Sequence, residues 1–159
     1  MTAFVLRCFA QSFGLDQVKI DQNDLDLSFK WLLNTQNSDG SFENVGTPLH
    51  SKGLAGGMNS GKLTGLSAYV LITLLTTLKS TKIQIDFDKN KIPKGLDYLQ
   101  KSLKDINSAN TYDLTLIFYA FKLSQEFPSL IQKIEEELDR RVIDDGVILC
   151  TICVKLIYF

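Results

Sequence analysis

One residue of this chain can accept, donate or attack near neutral pH, and it occurs once: His50. Unperturbed imidazole titrates close to physiological pH, so it serves there as base, acid or nucleophile. His50 stands in Thr47-Pro48-Leu49-His50-Ser51-Lys52-Gly53-Leu54-Ala55-Gly56-Gly57, between two helical patterns. A proline before it and glycines after it specify a loop, where positioned functional groups concentrate. Position alone leaves a plain alternative open, a loop histidine without chemistry.

Other chemistry-bearing residues lack partners. Cys8, Cys150 and Cys153 are odd in number and cannot all pair internally. Cys150-Thr151-Ile152-Cys153 would need two further ligands to hold zinc, and the local sequence has none. A redox Cys-x-x-Cys calls for a strand before it and a helix after it in an alternating fold, which this chain lacks. Compartment cannot be read from these cysteines. Asp144-Asp145 has no third member for an acidic metal cluster, and no Gly-Lys-Ser/Thr follows Gly56-Gly57 to cradle phosphate. Those two glycines read as close backbone approach where the loop turns into the next helix. Glu135-Glu136-Glu137 reads as a solvated helix face. Neither a metal nor a cofactor is expected.

With 17 basic and 18 acidic side chains in 159 residues, the net charge is −1. No basic cluster offers an electrostatic footprint for nucleic acid or for an anionic membrane surface. Hydrophobic residues at 45% and charged residues at 22% suit a globular domain with a real core. The N-terminus has no basic segment leading into an apolar run and a cleavage site, so it does not read as a signal peptide. Its first residues read as mid-helix without a cap, and the chain is expected to begin inside a structure.

Two kinds of helix alternate along the chain. Residues 2–13, 63–78 and 112–125 are apolar nearly all round and are expected to be buried, with Phe4, Val70 and Phe118 among them. Residues 23–35, 92–103 and 129–141 are amphipathic; Leu25, Phe29, Leu32 and Leu33 share one stripe while Asp24, Asp26 and Lys30 point elsewhere. Trp31 is expected in the core. Thr2-Ala3-Phe4-Val5-Leu6 recurs as Ser67-Ala68-Tyr69-Val70-Leu71, and Trp31-Leu32 is echoed by Tyr98-Leu99. Asn110-Thr111-Tyr112-Asp113 reads as a helix start, and Pro93 and Pro128 suit first-turn positions. Gln36 through Phe42 reads as a helix end and turn with its bend at Asp39-Gly40. Ile83-Gln84-Ile85-Asp86-Phe87 alternates but is short, and reads as an extended linker. Repeating hairpins with inner and outer helices predict an all-α, partial α/α-toroid of stacked helical hairpins over residues 1–146. Residues 147–159 are β-branched and apolar, lack that rhythm and are too short to cross a bilayer. They read as an atypical apolar tail: a strand, a packing tail or sequence outside the fold.

Several separated segments, in order, resemble the thioester domain of the α-2-macroglobulin and complement superfamily, most of all its membrane-anchored and invertebrate thioester-containing members. They are Thr2-Ala3-Phe4-Val5-Leu6-Arg7-Cys8-Phe9, Ile20-Asp21, Trp31-Leu32 with Gln36-Asn37-Ser38-Asp39-Gly40-Ser41-Phe42, Leu49-His50 with Gly56-Gly57, and Leu66-Ser67-Ala68-Tyr69-Val70-Leu71. The resemblance covers about residues 2–146. It implies an α/α-toroid of six hairpins and an internal thioester between Cys and Gln of a Gly-Cys-Gly-Glu-Gln motif, exposed by proteolysis of a larger protein. It also implies that His50 is the acyl-transfer catalyst, taking the acyl group as an acyl-imidazole before a hydroxyl receives it.

No Gly-Cys-Gly-Glu-Gln occurs here. The resemblance therefore implies a fragment with the histidine but without the acyl group, and not an enzyme in itself. The implied setting is extracellular, in innate defence or endopeptidase inhibition. The implied partners are protein or carbohydrate surfaces or proteases, reached through a parent that carries the other macroglobulin-type domains. Gln-x-x-Asp-Gly-Ser-Phe also resembles the repeat of terpene cyclases and prenyltransferase β subunits, which share the toroid but need an acidic cluster or zinc ligands. A helical interaction scaffold without chemistry is the third reading.

Overall fold

The computed structural model describes residues 1–13, 15, 19–43, 45, 63–80 and 85–145. Among them are six helices: α1 (Thr2–Ser12), α2 (Gln22–Asn34), α3 (Thr64–Ser80), α4 (Lys91–Ser102), α5 (Thr111–Ser124) and α6 (Pro128–Asp145). Their starts follow local chemistry. Asp21 accepts the N–H of Asn23 at 2.9 Å and Asn110 accepts that of Tyr112 at 2.8 Å, so each side chain satisfies a donor the helix leaves open. The α5 start is where the sequence placed it. α5 ends at Gln125, whose left-handed backbone (φ 61) returns its N–H to the Phe121 carbonyl.

The two helix types occupy two layers. α3 packs between α1 and α5, while α2, α4 and α6 each pack on the inner helix that precedes them. α3 buries Val70, Leu71, Ile72 and Leu74, so an apolar sequence without a polar face is satisfied by neighbours on every side. The outer helices bury single stripes: Leu25, Phe29, Leu32 and Leu33 on α2, and Ile92, Leu96 and Leu99 on α4. Phe29, Phe42, Leu71, Leu99, Phe121 and Ile134 are fully buried, each worth about 1.5–3 kcal/mol of transfer free energy. Gly95 lets α4 approach α3 closely, since a Cβ there would stand 2.9 Å from a Leu71 methyl. Ile85 and Phe87 are half-buried in chain that is neither helix nor strand, Phe87 edge-on to Phe29 with ring centroids 5.1 Å apart, while Ile83 and Gln84 lie outside the described residues. The fold is all-α, with hairpins layered as in an α/α-toroid.

Three expectations need correction. α1 is not buried all round: only Ala3, Leu6 and Ala10 are, while Phe4 is 57% exposed and Phe9 47%. The repeat unit is the same as in α3, but α3 has inner helices on both flanks and α1 has one. Trp31 is 45% exposed, on the face it shares with Leu27 one turn earlier and off the buried stripe of α2. Glu137 is buried rather than solvated. It accepts from Arg140 and Arg141, which hold its carboxyl down to about 2; the Arg140 hydrogen bonds are the larger cause.

Candidate functional site

His50 lies outside the described residues, with Pro48, Leu49, Gly56 and Gly57. Cys150, Cys153 and all of residues 147–159 lie outside them too. What the structure places are the two elements between which His50 falls in sequence: the turn after α2 and the start of α3.

The turn is held to α4. Gln36 and Phe42 form an antiparallel bridge, and Asn37 N–H donates to the Ser41 carbonyl at 2.8 Å. Asp39 Oδ1 accepts both the Ser41 N–H (2.9 Å) and the Ser41 hydroxyl (2.6 Å), and Asn37 Nδ2 donates to that same hydroxyl oxygen. The Ser41 hydroxyl, then its N–H, keep the Asp39 carboxyl below the usual carboxylate range. Gly40 closes the bend at φ 95, and any Cβ there would run into the Lys94 carbonyl. Gln36 Nε2 spans the joint, donating to the Gly40 carbonyl at 3.1 Å and to the Lys91 carbonyl at 2.9 Å. Lys91 Nζ donates in return to the Leu33 carbonyl at 2.9 Å, placing a cation on the open end of α2. Asp39 and Gly40 are thus turn-builders, as the sequence had it.

Phe42 then enters the core and meets α3. Its N–H donates to Ser67 Oγ at 2.9 Å, with both residues fully buried. Ser67 N–H donates to the Leu63 carbonyl at 2.8 Å, in the first turn of α3. This joint was not legible in the sequence; the only trace was that Phe42 and Ser67 stood in two of the motifs already singled out.

Cys8 is an exposed thiol on α1, one residue from Arg7. The Arg7 guanidinium lies 5.9 Å from the ring centre of Tyr119 on α5, so the inner helices share a polar–aromatic cluster. Burial raises the Tyr69 hydroxyl above its ordinary value there. Among the described residues no three His, Cys, Asp or Glu side chains could hold a metal ion, and no helix is long and apolar enough to cross a membrane.

Against known proteins, the chain is 27% identical over 151 residues to complement C3 of Oncorhynchus mykiss, covering 92% of this chain and 9% of that protein. It is 33% identical over 128 residues to thioester-containing protein 1 (allele S3) of Anopheles gambiae, covering 78% and 8%. It is 29% identical over 116 residues to a venom factor of Crotalus adamanteus, covering 72% and 7%. The chain therefore spans less than a tenth of the relatives it matches. Residues 1–150 match the family described as the A-macroglobulin TED domain, and the layered helical hairpins are what that family requires: the chain belongs to it.

Proposed function

We propose that this chain is the histidine-bearing part of a thioester domain in a longer, extracellular protein that attaches itself covalently to target surfaces or proteases. The observation that carries this reading is family membership over residues 1–150, a span that includes Pro48-Leu49-His50 and Gly56-Gly57. The chain contributes His50 as the acyl-transfer catalyst. The thioester comes from a Gly-Cys-Gly-Glu-Gln segment that this sequence does not contain.

The step balances without an added reagent. A nitrogen of His50 attacks the thioester carbonyl carbon, the carbon–sulfur bond breaks, and the thiolate leaves. The thiolate takes the proton of an incoming hydroxyl, whose oxygen attacks the acyl-imidazole carbon and expels the imidazole. The products are an ester to the target, a thiol and neutral His50. Two easier displacements replace one hard one, which brings weakly nucleophilic hydroxyls within reach. The thioester is consumed once, so the device is a single-use acylating agent and not an enzyme. Its partners are hydroxyl- or amine-bearing protein and carbohydrate surfaces or proteases, beside the macroglobulin-type domains of its own longer chain. A role in innate defence or endopeptidase inhibition fits this chemistry, and nucleic acid has no part in it.

His50→Asn in the activated longer protein tests the reading. Glycerol incorporation should fall at least tenfold relative to methylamine, because only the stronger amine nucleophile attacks the thioester unaided. An unchanged ratio makes His50 a bystander.

A further inference from the structure

We propose that the bare flank of α1 is an interface for a second copy of this chain, two first hairpins closing face to face in a two-fold dimer. This is independent of the acyl-transfer reading of His50. The observation is an inversion of size along α1. The helix turns Ala3, Leu6 and Ala10 into the core and leaves Phe4, Val5 and Phe9 at the surface. Its larger apolar side chains are thus the ones left in solvent, the reverse of an amphipathic surface helix. Phe4 and the exposed Cys8 stand one turn apart, as do Val5 and Phe9, so the four form two adjoining rows. α2, which packs on α1 in the same hairpin, adds exposed Leu27 and Trp31.

The chemistry of these rows selects a second copy. They hold no charge, because Arg7, the one charged residue of α1, lies over the Tyr119 ring of α5. A face free of charge meets its own copy without like charges in opposition, as an isologous contact requires. α5, the inner helix on the other side of α3, offers no comparable surface. There Lys122 covers the Phe118 ring at 5.2 Å and pairs with Glu135 at 3.3 Å. A head-to-tail contact would bury that ion pair against phenylalanine, so a closed dimer is favoured over an open chain of copies. Roughly half of Phe4, Phe9 and Trp31 is uncovered, which with Val5 and Leu27 comes to on the order of 400 Å² per copy. A standard interface takes about 800 Å² from each partner, so this dimer is a weak one that assembles at micromolar concentrations.

Sedimentation velocity of the full chain, from about 1 to 100 µM to suit a weak interface, tests the proposal. The 17.9 kDa species should give way to one of twice that mass and to nothing larger. Phe9→Asp should raise the midpoint concentration by about tenfold or more, since it sets an unpaired carboxylate in the contact. Should Phe9→Asp lose its helical circular dichroism, Phe4→Ser, which leaves the buried stripe of α1 intact, decides in its place. Cys8 reports where the contact lies. With Cys150→Ser and Cys153→Ser in place, iodoacetamide should alkylate Cys8 more slowly as the dimer fraction rises. Three results overturn the proposal: a monomer throughout, even one that dimerises once residues 147–159 are removed; species that keep growing with concentration; or a dimer in which neither Phe9→Asp nor the Cys8 rate registers.

Discussion

Arg141 uses every donor that a guanidinium possesses. Nε donates to Glu137, Nη1 to the Ala109 carbonyl and the Thr111 hydroxyl, and Nη2 to the carbonyls of Ile106 and Asn107, all between 2.7 and 2.9 Å. Its side chain is only 13% exposed. One residue thus ties α6 to the connection between α4 and α5. Lysine has no planar fork and cannot reproduce the set. Arg141→Lys should lower the unfolding free energy by about 3 kcal/mol, read from urea midpoints at pH 7. Glu137 adds a pH signature. Its folded pKa, about 2, lies below its unfolded 4.5, so the pairing stabilises fully above 4.5 and is lost as pH falls towards 2. The deficit of the variant should accordingly persist down to pH 5 and shrink only below 4.5.

At the scale of elements, the turn between α2 and the candidate segment works as a rivet rather than a spacer. Lys91 closes the carbonyl end of α2, Gln36 reaches the start of α4, and Gly40 admits the Lys94 carbonyl. Gly40→Ala should therefore cost about 2–3 kcal/mol, combining a left-handed backbone with a collision against α4. The check is the denaturant midpoint, with the slope unchanged. A loss below 0.5 kcal/mol would mean the turn can leave α4 without harm. The repeat shows the same dependence on neighbours. Ala68 and Val70 are buried in α3, whereas Val5, at the matching place in α1, is 38% exposed.

For the molecule as a whole, the proposed acyl transfer divides its chemistry between this chain and sequence it does not contain. Cys8, Cys150 and Cys153 all lack the following Gly-Glu-Gln, so none can form the family's thioester. The chain by itself should incorporate no labelled methylamine and no glycerol when the products are weighed by mass spectrometry. Stoichiometric uptake that depends on a cysteine would overturn the division of labour proposed for His50. Phe4, Val5 and Phe9 leave apolar surface along α1, so the experiment is best run at low protein concentration.

Periodicity fixed the element types and the pairing of inner with outer helices, because a helix apolar all round has to be enclosed and a striped one has to lie on a surface. Asn110 and the Asp39-Gly40 bend were legible because caps and turns are settled by a few adjacent residues. The thioester-domain resemblance was legible for a similar reason, as short motifs kept in order. Burial that depends on what stands alongside was not. Trp31 and Phe4 belong to apolar patterns, yet whether a neighbour covers them is decided only when the hairpins stack. The same holds for Glu137, whose arginine partners lie one turn away on α6 but whose burial comes from the fold around that helix. The Phe42–Ser67 bond and the three carbonyl contacts of Arg141 join residues distant in sequence, through backbone groups that carry no side-chain signature. Local chemistry wrote the helices; tertiary packing alone decided which of their polar atoms would meet.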